Sequence, residues 1–361
     1  MNKTLNICIS IILSLISLPI LAQTDSCKSV LKLEVVGITG KISAHHKEME
    51  PMCDRPFYAG ELRIGMQTTG NQYWHQTLKY PYLGIGVYLS EFQKKEIGHP
   101  IALFGFMDIP MYRWQKSSLS TSWSCGLTFN INKYDSIKNP NNMAIGSEVN
   151  AYIEFSLRYK YQITNKIEIG CGASFQHFSN GATKQPNWGM NMLGINIIAS
   201  YIPTKRDIHF QKLPEPEITK RYEWNVMYAT GIRDNKTGVI YHNSTLSVAL
   251  SRRISYKRTL GLGIDIFHNE YFKDEYAENE HVELKKLLSQ AIFANSDLIA
   301  GKLRINIGLG VYTLRSKAYT LPIYERAGVR FYPIKQLFTN VSIKAHGAKA
   351  EFIECGLGVT L

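Results

Sequence analysis

A histidine and a serine two residues apart on one face of a β-strand can do acyl-transfer chemistry. The imidazole takes the hydroxyl proton, and the oxygen attacks a carbonyl. This chain has that pair in Phe175-Gln176-His177-Phe178-Ser179-Asn180-Gly181, followed by Pro186-Asn187-Trp188-Gly189-Met190-Asn191. Upstream, Ile167, Ile169, Cys171, Ala173 and Phe175 alternate with Glu168, Gly170, Gly172, Ser174 and Gln176. A period of two means a strand with one apolar face. Carried on, the alternation puts His177 and Ser179 on that apolar face, side by side. Asn191 shares a face with Leu193, Ile195, Ile197 and Ala199 on the next strand, opposite the pair across the loop. By itself His-x-Ser ordinarily marks only a strand end meeting water. His242-Asn243-Ser244 has the same spacing and nothing around it to suggest chemistry.

The longer string is what distinguishes the first pair. His-x-Ser-Asn-Gly followed by Pro-Asn-x-Gly-x-Asn resembles the signature of the PagL-type lipid A deacylases, which are outer-membrane barrel esterases. The resemblance spans roughly residues 30 to 202 and is specific around 175 to 191. It implies a serine nucleophile (Ser179) and a histidine base (His177) on the lipid-facing outside of a barrel, with Asn180 and Asn187 also matching. The family's third triad member is usually a glutamate four residues after the second asparagine; here that position is Asn191. The implied reaction is hydrolysis of an ester-linked acyl chain of lipid A or lipopolysaccharide. His177 would be the base, Ser179 the nucleophile and Asn191 the group that orients the imidazole. Asn180, Asn187 or backbone N–H groups of the 180–189 loop would act as oxyanion donors. This chemistry requires no metal and no cofactor.

The rest of the chain must position this loop. Residues 1–22 read as a secretory signal peptide, with Lys3, an apolar run from Ile7 to Leu21, and Ala22 before a polar start. No later stretch has the roughly 20 apolar residues of a membrane helix, so a membrane protein built from this chain must be a closed β-barrel. With 21 Tyr, 27 Gly and only 19% charged residues, the composition suits aromatic girdles and tight strands. Without Lys3, 40 basic residues stand against 29 acidic ones, a net +11. That excess suits an anionic partner such as lipid A phosphates. Nucleic acid is excluded by compartment and by the lack of any binding motif. The odd cysteine count after the signal has no metal-like spacing, and Cys171 and Cys355 read as small buried hydrophobes. Arg63, Arg158, Lys160 and Lys184 read as a solvated rim. The sequence does not set an oligomeric state.

Sixteen strands are expected between residues 30 and 361. Long gaps (40–56, 132–148, 179–189, 270–289) alternate with short ones (163–165, 253–257, 300–301, 332–335), as outer loops and periplasmic turns do. That parity sends the strand at 166–178 outward, so His177 is expected near the outer leaflet. The last strand alternates Ile353, Cys355, Leu357, Val359 and Leu361 with Glu354, Gly356, Gly358 and Thr360 up to the final residue, like an outer-membrane assembly signal. The expected architecture is a single all-β transmembrane barrel of about sixteen strands. An eight-stranded PagL-like barrel plus a second eight-stranded unit is the alternative. The segments are a signal peptide (1–22), a site-bearing part (23–202), a linker or periplasmic turn (203–220) and further barrel strands (221–361). A pore, transporter or structural barrel is the competing function, and the facing of His177 and Ser179 separates it from an esterase.

Overall fold

The computed structural model describes residues 29–203, 208–235, 238–276, 281–315, 319, 321–347 and 349–361. The expected signal peptide lies outside the described residues. The strands are β1 (Val30–Ser43), β2 (Pro56–Gln67), β3 (Tyr82–Glu91), β4 (Gly98–Arg113), β5 (Ser117–Ile131), β6 (Asn150–Gln162), β7 (Ile167–Ser179) and β8 (Met190–Tyr201). They continue with β9 (Tyr222–Asp234), β10 (Ile240–Ser255), β11 (Arg258–Asn269), β12 (Leu288–Ala300), β13 (Leu303–Leu314), β14 (Ile323–Ile334), β15 (Leu337–His346) and β16 (Lys349–Thr360).

These strands do not form the single barrel expected from the sequence. β1 to β8 close one antiparallel barrel and β9 to β16 close another. The first seam pairs β1 with β8, from Leu33 opposite Tyr201 to Ser43 opposite Asn191. The second pairs β16 with β9, from Cys355 opposite Thr230 to Thr360 opposite Asn225. It is extended by reciprocal backbone bonds between Trp224 and Leu361 of 3.1 and 2.8 Å. Closure leaves neither barrel an unpaired edge that the other could extend. The single carboxy-terminal assembly motif pointed towards one barrel. The local pairing of eight strands outweighs it.

Size supplies the second reason. Eight strands give an interior that side chains can fill, whereas sixteen leave an aqueous channel. In the first barrel, charged residues of different strands meet directly across the interior. Arg158 of β6 bonds Glu34 of β1 at 2.8 Å and Glu154 at 3.1 Å. Arg63 of β2 bonds Glu61 and Glu154, each at 2.7 Å. Lys160 bonds Glu34 at 2.5 Å and Asp108 of β4 at 3.0 Å. Arg63, Arg158 and Lys160 are therefore not the solvated rim expected from the sequence. They are buried among carboxylates, and of the four basic candidates only Lys184 is exposed. The reason is an inverted pattern: in a membrane-type barrel the polar face turns inward and the apolar face outward.

Outward positions carry the apolar residues. Ile195 and Ile197 of β8 are 67% and 73% exposed, and Leu357 of β16 is 65% exposed. The same inversion corrects one cysteine: Cys171 is exposed on the outer face beside Ile169 and Ala173, whereas Cys355 is buried. Between the strands, the segment after β8 folds back on its own barrel. Gln211 N donates to Thr69 O at 2.7 Å, and the Gln76 amide pairs with both backbone groups of Leu213 at 2.9 and 2.7 Å.

Removing one member of the interior network should leave its partners charged and dry. Arg158→Met is expected to destabilise the first barrel by about 3–5 kcal/mol, the usual effect of breaking a buried pair from one side. Urea unfolding of the refolded protein measures this, and a loss below about 1 kcal/mol would mean that the network is hydrated.

Candidate active site

β7 ends at Ser179, and its alternation decides where His177 and Ser179 point. Ile167, Ile169 and Phe175 face outward, at 44%, 47% and 37% exposure, while Ser174, Gln176 and Phe178 are buried inside. His177 and Ser179 continue the outward series. In register, His177 lies between Ile153 of β6 and Asn191 of β8. Ile153 is itself outward and exposed. The imidazole therefore sits on the barrel's outer surface, at the end where β7 runs into the 180–189 loop.

Five residues singled out from the sequence come together here. His177 Nδ1 lies 2.6 Å from Asn191 Oδ1, a short cross-strand hydrogen bond. An amide oxygen only accepts, so this contact places the proton on Nδ1 and leaves Nε2 bare. Asn187 Nδ2 donates to Ser179 Oγ at 3.0 Å, and Ser179 Oγ lies 3.3 Å from Asn187 Oδ1. Asn187 Oδ1 also accepts the backbone N–H of Asn180 at 3.0 Å. Asn180 Nδ2 donates to Ser147 Oγ at 2.9 Å. Ser179 and Asn180 are buried, whereas His177, Asn187 and Asn191 are half-buried. No carboxylate takes part in these contacts. Among the described residues, no group of three His, Cys, Asp or Glu side chains could hold a metal.

The loop keeps its shape through its own backbone and through neighbouring loops. Gly189 has φ +77°, and a Cβ there would come within 2.7 Å of His177 Cε1. Only glycine both adopts that conformation cheaply and leaves room for the ring. Trp188 N and Gly189 N donate to Met143 O and Ala144 O at 3.3 and 3.0 Å, docking the loop on the segment before β6. The Trp188 indole packs on His46, with centroids 4.5 Å apart.

Sequence reasoning missed His45, Ser147 and the structural use of Gly189. His45 Nε2 lies 2.9 Å from Trp188 O, and its Nδ1 lies 3.5 Å from Asn191 Nδ2. The His45-His46 doublet was a visible signal. Its meaning depends on the β1–β8 seam, which sets Ser43 opposite Asn191.

Two family models match the chain, and each falls on one barrel. The model for lipid A 3-O-deacylase (PagL) matches residues 59–199, including all five residues of the cluster. The model for the acyloxyacyl hydrolase C-terminal domain matches residues 222–361, from the first residue of β9 to the end. The chain belongs to the lipid A 3-O-deacylase family. Membership of this deacylase family implies a hydrolase and suggests activity on lipid A, and the outer membrane fits the family and the barrel fold. No curated protein matches the chain.

Solved structures resemble this deacylase-family chain only distantly. CdiB from Acinetobacter baumannii is 10% identical, with a TM-score of 0.20 over 93% of this chain and 60% of that one. This chain thus spans 60% of the length of CdiB. A triple mutant of the Rhodopseudomonas blastica porin is 9% identical, with a TM-score of 0.20 over 92% of this chain and 100% of the porin. A bacterial polysaccharide outer membrane secretin is 9% identical, with a TM-score of 0.24 over 93% and 99% of the two chains. Scores this low bear on neither fold nor function.

Gly189→Ala tests the packing at the ring. The added methyl must displace the imidazole or shift the loop, on top of a left-handed strain of about 1–2 kcal/mol. The His177 ring resonances of the refolded variant should move, with the barrel's strand content unchanged by circular dichroism. Unmoved resonances would show that the loop yields instead.

Proposed function

We propose that this protein is an outer-membrane serine esterase that removes an ester-linked acyl chain from lipid A, working on the lipid-facing side of its first barrel. The observation that carries this reading is the 2.6 Å bond between Asn191 Oδ1 and His177 Nδ1, on the same outward face as Ser179. It presets the tautomer that a general base needs. The exposed apolar outer face of each barrel, with Ile195 and Ile197 on the first and Leu357 on the second, supports a bilayer as the surroundings. A reactive pair on that surface meets an acyl ester without extracting it from the membrane.

In the proposed reaction, His177 Nε2 takes the proton of Ser179 as Oγ attacks the acyl carbonyl. The oxyanion that develops needs donors. Asn187 Nδ2, already 3.0 Å from Ser179 Oγ, is the better placed of the two asparagines, because Asn180 Nδ2 is engaged with Ser147. The imidazolium then protonates the departing sugar oxygen. Water, deprotonated by the same Nε2, releases the fatty acid from Ser179. Asn191 orients the ring as the asparagine of a Cys-His-Asn site does, but it offers no charge to the imidazolium.

The pore reading is weaker. Glu61, Arg63, Glu154 and Arg158 fill the first barrel's interior and are at most 2% exposed, which leaves little room for an open path at that level. His242 and Ser244 of β10 keep the spacing of the active pair, but without its string of asparagines, and are assigned no catalytic role.

Ser179→Ala and His177→Ala should each abolish release of fatty acid from purified lipid A while the barrel still folds, and Ser244→Ala should not affect it. Mass spectrometry of lipid A from cells with and without the protein reads the same loss in the membrane. A folded Ser179→Ala protein that keeps the wild-type rate would rule out the nucleophile.

The amide at position 191 gives a graded test. Asn191→Ala should lower kcat with little change in stability. Asn191→Glu should match or exceed the parent, because a carboxylate also stabilises the imidazolium. If Asn191→Ala retains full activity, another group orients the histidine.

A further inference from the structure

An asparagine in the orienting position raises a problem that a glutamate does not. A carboxylate presents an acceptor whichever way it turns. An amide has an oxygen on one side and an NH2 group on the other, of nearly equal size. Rotated by half a turn, Asn191 would point its Nδ2 at His177 Nδ1. That nitrogen would then have to accept, the ring proton would move to Nε2, and the base for Ser179 would be lost. Something must hold the amide the right way round.

We infer that His45 is that device: a positioning residue that fixes the orientation of Asn191 and, through it, the tautomer of His177. The inference rests on the reading of His177 and Ser179 as base and nucleophile. Its geometry starts at a backbone carbonyl, which can only accept. Trp188 O lies 2.9 Å from His45 Nε2, so Nε2 carries the proton and donates. In the neutral ring His45 Nδ1 is then an acceptor. It faces Asn191 Nδ2 at 3.5 Å, a long contact that favours the NH2 group on that side. Asn191 Oδ1 is thereby turned to His177 Nδ1, at 2.6 Å. Every donor in this series is matched to an acceptor, and one carbonyl sets the direction of the whole series.

One contact competes. His45 Nδ1 also lies 3.5 Å from Ser43 O, which would favour a proton on Nδ1. The 2.9 Å bond to Trp188 O is much the shorter, and a neutral ring has one proton, so it goes to Nε2. The surroundings hold the pieces in place. Ser43 is opposite Asn191 in the β1–β8 register, which carries His45 to the back of the amide. The His45 and His46 rings lie 4.9 Å apart, and His46 packs on the Trp188 indole. Trp188 O is thus supplied by the same Pro-Asn-x-Gly-x-Asn loop that supplies Asn187 and Asn191.

His45→Phe keeps the ring and removes both nitrogens, and the full-length protein refolded in detergent micelles is the material. Nitrogen-15 NMR of labelled histidine should show His177 protonated on Nδ1 in the parent and a mixture of Nδ1 and Nε2 tautomers in the variant. Against purified lipid A in mixed micelles, kcat should fall roughly five- to tenfold with KM held, the population shift that about one hydrogen bond maintains. In the Asn191→Glu background, where no flip exists, the penalty of His45→Phe should shrink to under about twofold. An unchanged tautomer in His45→Phe, or an equal penalty in both backgrounds, overturns the inference. The underlying enzyme reading fails separately. If Ser179→Ala stays active while His45 still controls the His177 tautomer, the nucleophile assignment is wrong and the positioning role stands.

Discussion

Backbone closure is the constraint on which the rest depends. Each strand of β1 to β8 has two hydrogen-bonded neighbours only because β1 pairs with β8. A strand edge left open in hydrocarbon would expose unpaired N–H and C=O groups, each costing several kcal/mol. Closure removes that edge, and it also fixes which face of every strand turns outward. It puts the loop after β1 beside the start of β8, so His45 comes within 3.5 Å of the Asn191 amide although 146 positions of chain separate them. The site is a by-product of the seam.

Closing at eight strands makes the interior narrow, and the sequence fills it with charge. Each barrel solves this in the same way. In the second, Arg326 bonds Asp265 and Glu354 at 2.7 and 2.9 Å, and Lys344 bonds Glu351 at 3.0 Å. Such pairs contribute little net stability, because desolvation offsets most of the attraction. Their effect is on specificity. A slip of one residue would turn these charges to the outer surface and the aliphatic residues inward. The interior network therefore enforces the register that sets His177 opposite Asn191.

The proposed site shows what an amide can do at the position where the family resemblance implied a carboxylate. It holds the imidazole at hydrogen-bond distance without bringing a charge to a surface made of Ile, Leu and Phe. An unpaired carboxylate at such a surface would be costly to desolvate. The amide gives up electrostatic stabilisation of the imidazolium in exchange, and its two-sided polarity needs a fixed partner, which His45 and the Trp188 carbonyl supply.

Much of this was legible in the chain itself. The period-two alternation around Ile167 to Phe175 set a strand, its faces and the outward direction of His177 and Ser179, because a strand's geometry is local. The string from His177 to Asn191 carried the family resemblance and the five residues that the structure brings together. The number of strands was readable from turn chemistry, and the division into two barrels was not, because closure depends on which distant strands pair. For the same reason Arg63, Arg158 and Lys160 read as rim cations: Arg158 and Lys160 meet Glu34 across 124 and 126 positions of chain and Arg63 meets Glu154 across 91, and alternation alone does not say which face is wet. His45 was visible as a doublet with no role. Local periodicity is written in neighbouring residues, so the sequence determined the strands, their faces and the shared face of His177 and Ser179. The seam, the filled interior and the orientation of one amide arise from contacts between distant segments, and those only the tertiary structure decided.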